Sequence, residues 1–155
     1  MKSIFVFLLS FISFSFLPSG GHDLTLAEAS GILGEPCTRL GKTSTAQNGG
    51  HQFKTSFVAD NNDKAVLYYM FESYKDESAA NKKFDEMYSG NASMPGFEKL
   101  EKYGDEAFYH SDDKNFGLII ARKGNEMIRI KVNKTTAKYS KKELLKTAAN
   151  VLHRI

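Results

Sequence analysis

The sequence predicts an α+β domain, an antiparallel sheet flanked by helices, in the order α-β-β-α-β-β-β-β-α after a leader peptide. Three observations carry that expectation. Capping boxes at Thr25–Glu28 and Ser140–Glu143 each open an apolar run of helical period. Between His51 and Asn133 lie β-prone segments, most of them joined by short turns, and strands joined in that way must run antiparallel. No repeat, low-complexity tract or linker divides residues 22–155, which read as one domain.

The elements follow in order. Thr25 caps a helix over residues 25–33, with Leu26, Ala29, Ile32 and Leu33 on one face, and Gly34 and Pro36 end it. Leu40 to Gly50 is polar and ends in Asn48-Gly49-Gly50, a loop by composition. Phe53, Thr55 and Phe57 alternate with Gln52, Lys54 and Ser56, which marks a half-buried strand. Asp60 to Asp63 is a turn cluster. Ala65 to Phe71 is almost continuously apolar and predicts a central strand covered on both faces. Ala80, Phe84, Met87 and Tyr88 share a helical face over residues 77–88, begun by Asp76 or Ser78. Strands are expected at Phe97–Tyr103, Glu106–His110, Phe116–Arg122 and Glu126–Asn133, the last two forming a hairpin around Lys123-Gly124-Asn125. In the last strand Ile128, Ile130 and Val132 face the core, while Met127, Arg129, Lys131 and Asn133 face away. The final helix carries Leu144, Leu145, Ala148, Val151 and Leu152 on one side.

Residues 1–21 predict a secretory signal peptide. Lys2 is followed by an apolar run from Ile4 to Leu17, then Pro18, then the small residues Ser19, Gly20 and Gly21. The run is shorter than the roughly 20 residues a spanning helix needs. Cleavage after Gly21 would leave His22 as a frayed new N-terminus. The only cysteine, Cys37, lies well beyond the cut, so neither lipid attachment nor an internal disulfide is expected. The expected location is periplasmic or secreted, without a stable transmembrane span.

Charge is uneven along the chain. Residues 22–121 carry 10 basic and 16 acidic side chains, whereas residues 122–155 carry 10 basic and only Glu126 and Glu143 as acids. Arg129, Lys131, Lys134, Lys138, Lys141, Lys142 and Lys146 are the candidate ligand- or partner-binding residues, a cationic surface for an acidic protein or an anionic envelope component. Nucleic acid is not an expected partner, because the chain is read as exported and its basic segment lacks interleaved aromatics for base stacking.

Catalytic and metal signatures are sparse. His22, His51, His110 and His153 have no metal-pair spacing, Lys64 would occupy a ligand position of a calcium loop at Asp60, and no nucleotide or cofactor fingerprint occurs. No metal or cofactor is expected. A small hydrolase would have to assemble Asp105, Glu106, His110 or Cys37 by folding. The tyrosines, Tyr68 and Tyr69 among them, are read as core and rim residues of the sheet.

Several segments together resemble a group of small exported bacterial domains. Leu24-Thr25-Leu26-Ala27-Glu28-Ala29 running into Leu33-Gly34-Glu35-Pro36 resembles their opening helix and its exit. Gly104-Asp105-Glu106-Ala107-Phe108 resembles a central strand start, and Ala121 to Asn125 the following hairpin. These domains are similar to the Mog1/PsbP-like fold. The resemblance implies a sheet sandwiched by helices and a non-enzymatic envelope role. This chain lacks the paired cysteines and the lipid-attachment cysteine that many such proteins have. The expected function is an exported, non-catalytic binding or accessory domain of the cell envelope. A secreted effector or immunity-type interaction protein is the alternative.

Overall fold

A computed structural model of the chain describes residues 22–47 and 49–155. The predicted signal peptide, residues 1–21, lies outside them. The element order is α1 (Leu26–Leu33), β1 (Cys37–Gln47), β2 (Gly50–Ala59), β3 (Asn62–Ser73), α2 (Glu77–Asn91), β4 (Phe97–Leu100), β5 (Glu106–Ser111), β6 (Phe116–Lys123), β7 (Glu126–Asn133) and α3 (Lys141–Arg154). All seven strands form one antiparallel sheet in the order β1-β2-β3-β7-β6-β5-β4. The fold is therefore α+β, as expected, with one strand more than the sequence suggested.

That extra strand is β1, the segment read as a loop. Residues 41–46 are all exposed, so no inward apolar alternation marks the strand. It is held by its backbone ladder to β2. Thr38, Thr43 and Thr45, β-branched residues, were its available signal. β1 is an edge strand, and the register shift between Arg39 and Gly41, with Lys42 beside it, limits further pairing at that edge.

Two meanders meet at the pair β3–β7, where Leu67 faces Val132, Tyr69 faces Ile130 and Phe71 faces Ile128. These residues point to the first face of the sheet. There α1 and α3 bury Ala29, Ile32, Leu33, Leu144, Ala148, Val151 and Leu152 against Phe57, Leu67, Tyr109, Ile119 and Ile130. Both helices start where the capping boxes predicted. Thr25 Oγ1 accepts from the Glu28 amide at 3.2 Å while the Glu28 carboxylate accepts from the Thr25 amide at 2.9 Å, and Ser140 Oγ accepts from the Glu143 amide. His22 and Leu24 are not frayed. The Tyr69 hydroxyl donates to the His22 carbonyl, the His22 ring packs on Phe71 at 4.4 Å, and Leu24 is fully buried.

Among the described residues the second face is covered in part only. α2 carries the chain from central β3 to edge strand β4 and packs Phe84 onto Phe108, Ile120 and Met127 on the way. Met127, expected to face away from the core, is completely buried in this second core. Alternation told the two faces apart correctly; it carried no sign that a helix covers one end of the outer face.

Carboxylates join the first-face helices to their surroundings. Lys138 Nζ, 2.9 Å from Glu35, holds that carboxyl below its ordinary value of 4.5, against the opposing effect of burial. For Glu28 burial raises the value, but the Arg154 guanidinium at 2.7 Å and the two Thr25 donors outweigh it. A carboxyl whose folded pKa is depressed contributes stability above its unfolded value and loses it as pH falls through the folded one. The melting temperature should therefore drop as pH falls below about 4.5. Thermal melts across that window should show the gap between wild type and Glu35→Gln closing with acidity. A constant gap would show that Glu35 is not linked to pH.

Candidate binding groove

Because α2 covers only one end of the second face, a groove remains over β1, β2, β3, β7 and β6. It encloses about 430 Å³, within the ~300–1,000 Å³ range of small-molecule sites. The strand registers build it from two adjacent rows. One row runs Thr43, Lys54, Met70, Arg129, Ile120; the next runs Gly41, Ser56, Tyr68, Lys131, Leu118. Both rows line the groove. Tyr68 is 45 % exposed, although its strand was expected to be covered on both faces. Continuous apolar character reported the β-propensity of β3 and not a second covering layer.

The groove is apolar in its floor and cationic in its walls. Lys54 and Arg129 flank Met70 from the two neighbouring strands, which sets them about 10 Å apart, and Lys131 lies two residues from Arg129 on the same face. Arg129 is held by Glu72, whose other carboxylate oxygen accepts from Gln52 Nε2 at 2.8 Å. The Arg129 Nε is buried and has no acceptor among the described residues. Among the described residues Lys54 and Lys131 have no carboxylate partner, and the Lys131 ammonium lies 5.6 Å from the centre of the Phe116 ring.

The basic residues read from the sequence do not form one surface. Arg129 and Lys131 face the groove, whereas α3 lies across the sheet from them. Lys138 pairs with Glu35, Lys141 pairs with Glu98 and sits over the Tyr109 ring, and Lys146 pairs with Glu143. Lys142 is exposed on the first turn of α3 and Lys134 sits in a left-handed turn just after β7. Lys54, missed in the sequence reading, joins the groove through the register of β2.

Of the hydrolase candidates Asp105 and Glu106 are brought together, on Arg122, while His110 and Cys37 make other contacts. His110 Nδ1 bonds Asn91 Oδ1 at 2.9 Å, and the imidazole lies edge-on to Phe116. Cys37 Sγ is 3.3 Å from Ser30 Oγ on the α1 side of the sheet. Asp105 and Glu106 both bind Arg122, at 3.2 and 3.1 Å, and Arg122 also reaches Glu77 and the Gly124 carbonyl. The Asp105 carboxylate further accepts from the Gly124 amide at 2.7 Å. The Gly-Asp-Glu-Ala segment is thus a latch that closes the β6–β7 turn onto β5 and the first turn of α2. The Arg122 side chain is 6 % exposed, but its carboxylate partners are 38–69 % exposed. Removing it leaves those acids solvated, so Arg122→Met should cost about 2–3 kcal/mol in denaturant melts. Arg122→Lys, without the planar fork, should recover only part. A loss below about 0.5 kcal/mol for Arg122→Met, the range of ordinary surface changes, would show that the latch does not contribute.

No helix among the described residues is long and apolar enough to cross a membrane. No protein-family model matches the chain, and no curated protein sequence matches it.

Proposed function

We propose that this protein is an exported, non-catalytic binding domain of the cell envelope, and that its ligand occupies the groove on the second face of the sheet. One observation carries the reading. Cross-strand register gathers Lys54, Arg129 and Lys131 around Tyr68 and Met70 on a concave surface that no other element among the described residues covers. A concavity with apolar side chains and a few convergent charged groups is the usual form of a small-ligand site. Export rests on the pattern of residues 2–21.

Two measurements test it. The intact mass of the protein recovered from the host envelope or medium should correspond to a chain beginning at His22; an uncleaved chain retained inside the cell refutes export. The anionic, environment-sensitive dye anilinonaphthalene sulfonate should bind at one saturable site. Tyr68→Ser, at a half-exposed position that the core does not need, should weaken that binding about fivefold, the equivalent of roughly 1 kcal/mol. Absent binding, or binding unchanged by Tyr68→Ser, refutes the groove as the site.

A further inference from the structure

The groove reading leaves its ligand class open. Resting on that reading, we infer that the groove takes a single-chain amphipathic anion, an acyl chain ending in one carboxylate. Charge complementarity and shape carry the choice. The cations are few and confined: Lys54, Arg129 and Lys131 surround one patch about 10 Å across, with Glu72 as the one carboxylate bonded to them among the described residues. That arrangement matches one compact anionic headgroup. The Arg129 guanidinium is already oriented by Glu72, whose other oxygen is held by Gln52, whereas Lys54 and Lys131 have no carboxylate partner among the described residues. An ammonium N–H paired with a carboxylate is among the stronger hydrogen bonds. Beside the cations, Tyr68 and Leu118 offer apolar surface for the chain.

Larger partners fit less well. A stable protein interface is a broad surface of roughly 800 Å² on each side, whereas this site is a local concavity on one part of one sheet face. An anionic bilayer is read by four to eight basic residues gathered on one surface. Here Lys138, Lys141 and Lys146 belong to the opposite face and are already paired with acids.

Competition against the bound dye tests the inference on the exported protein. Palmitate should displace the dye at one equivalent, and methyl palmitate, equal in chain but uncharged, should be at least about tenfold weaker. The double substitution Lys54→Glu/Lys131→Glu should weaken palmitate about tenfold, while Lys142→Glu on α3 should leave it unchanged. Equal affinity for palmitate and its methyl ester overturns the anionic class and leaves the groove reading standing. Displacement by polyglutamate as strong as by palmitate overturns it in favour of an acidic peptide. Binding to vesicles of equal parts phosphatidylglycerol and phosphatidylcholine, without binding of monomeric palmitate, overturns it in favour of a membrane surface. Failure of the dye itself to bind refutes the groove reading on which the inference rests.

Discussion

Replacing Phe108 by alanine should destabilise the protein by about 3–5 kcal/mol, the usual cost of emptying a fully buried phenylalanine site, and should release α2 before anything else. Phe108 is completely buried. Its ring centre lies 5.8 Å from that of Phe84, 6.0 Å from Tyr88 and 5.3 Å from Phe97. It is the common neighbour of two α2 residues and one β4 residue, and the most deeply buried of the four rings. The first core, under α1 and α3, does not include it. Hydrogen exchange should therefore show α2 amides losing protection while α1 and α3 amides keep theirs. Uniform loss of protection across all three helices would mean that the two cores act as one cooperative unit.

Gly34→Ala should be nearly as damaging, for a backbone reason. Gly34 ends α1 with φ +75°, and a Cβ there would lie 2.0 Å from the Lys138 carbonyl oxygen. The same junction is held by Ser140 N donating to Ile32 O at 3.0 Å and by the Lys138–Glu35 pair. The left-handed conformation alone costs a non-glycine residue roughly 1–2 kcal/mol, and displacing the 138–140 segment adds to it. A total of about 3 kcal/mol or more is expected from urea melts. Gly124→Ala is the internal control: φ is +58°, but a Cβ there would meet nothing within 4 Å. It should cost only about 1–2 kcal/mol. Equal losses at the two positions would show that the contact with Lys138 adds nothing.

Much of the local structure was legible in the chain because its causes are local. Thr25 with Glu28, and Ser140 ahead of Glu143, mark helix starts because side chain and amide sit three residues apart. The β6–β7 hairpin was legible because alternation and the short Lys123–Asn125 turn specify pairing together. β1 was not, because an exposed edge strand draws its stability from a neighbour's backbone and leaves no apolar period. The groove was half legible. Arg129 and Lys131 were singled out by charge, but Lys54 and Tyr68 join them only through strand register, and the α3 lysines leave them only through the sheet between.

The sequence by itself determined the class of fold, the positions of the helix caps and the inward set of residues on β7, all of which depend on spacings of two to four residues. Tertiary structure alone decided which half of the second face α2 covers, and hence that Met127 is buried while Tyr68 stands open. The physical reason is that cover over a sheet depends on where a crossover helix begins and ends. α2 leaves from central β3 and returns at edge strand β4, so it covers one half of the face and leaves a cation-walled groove over the other.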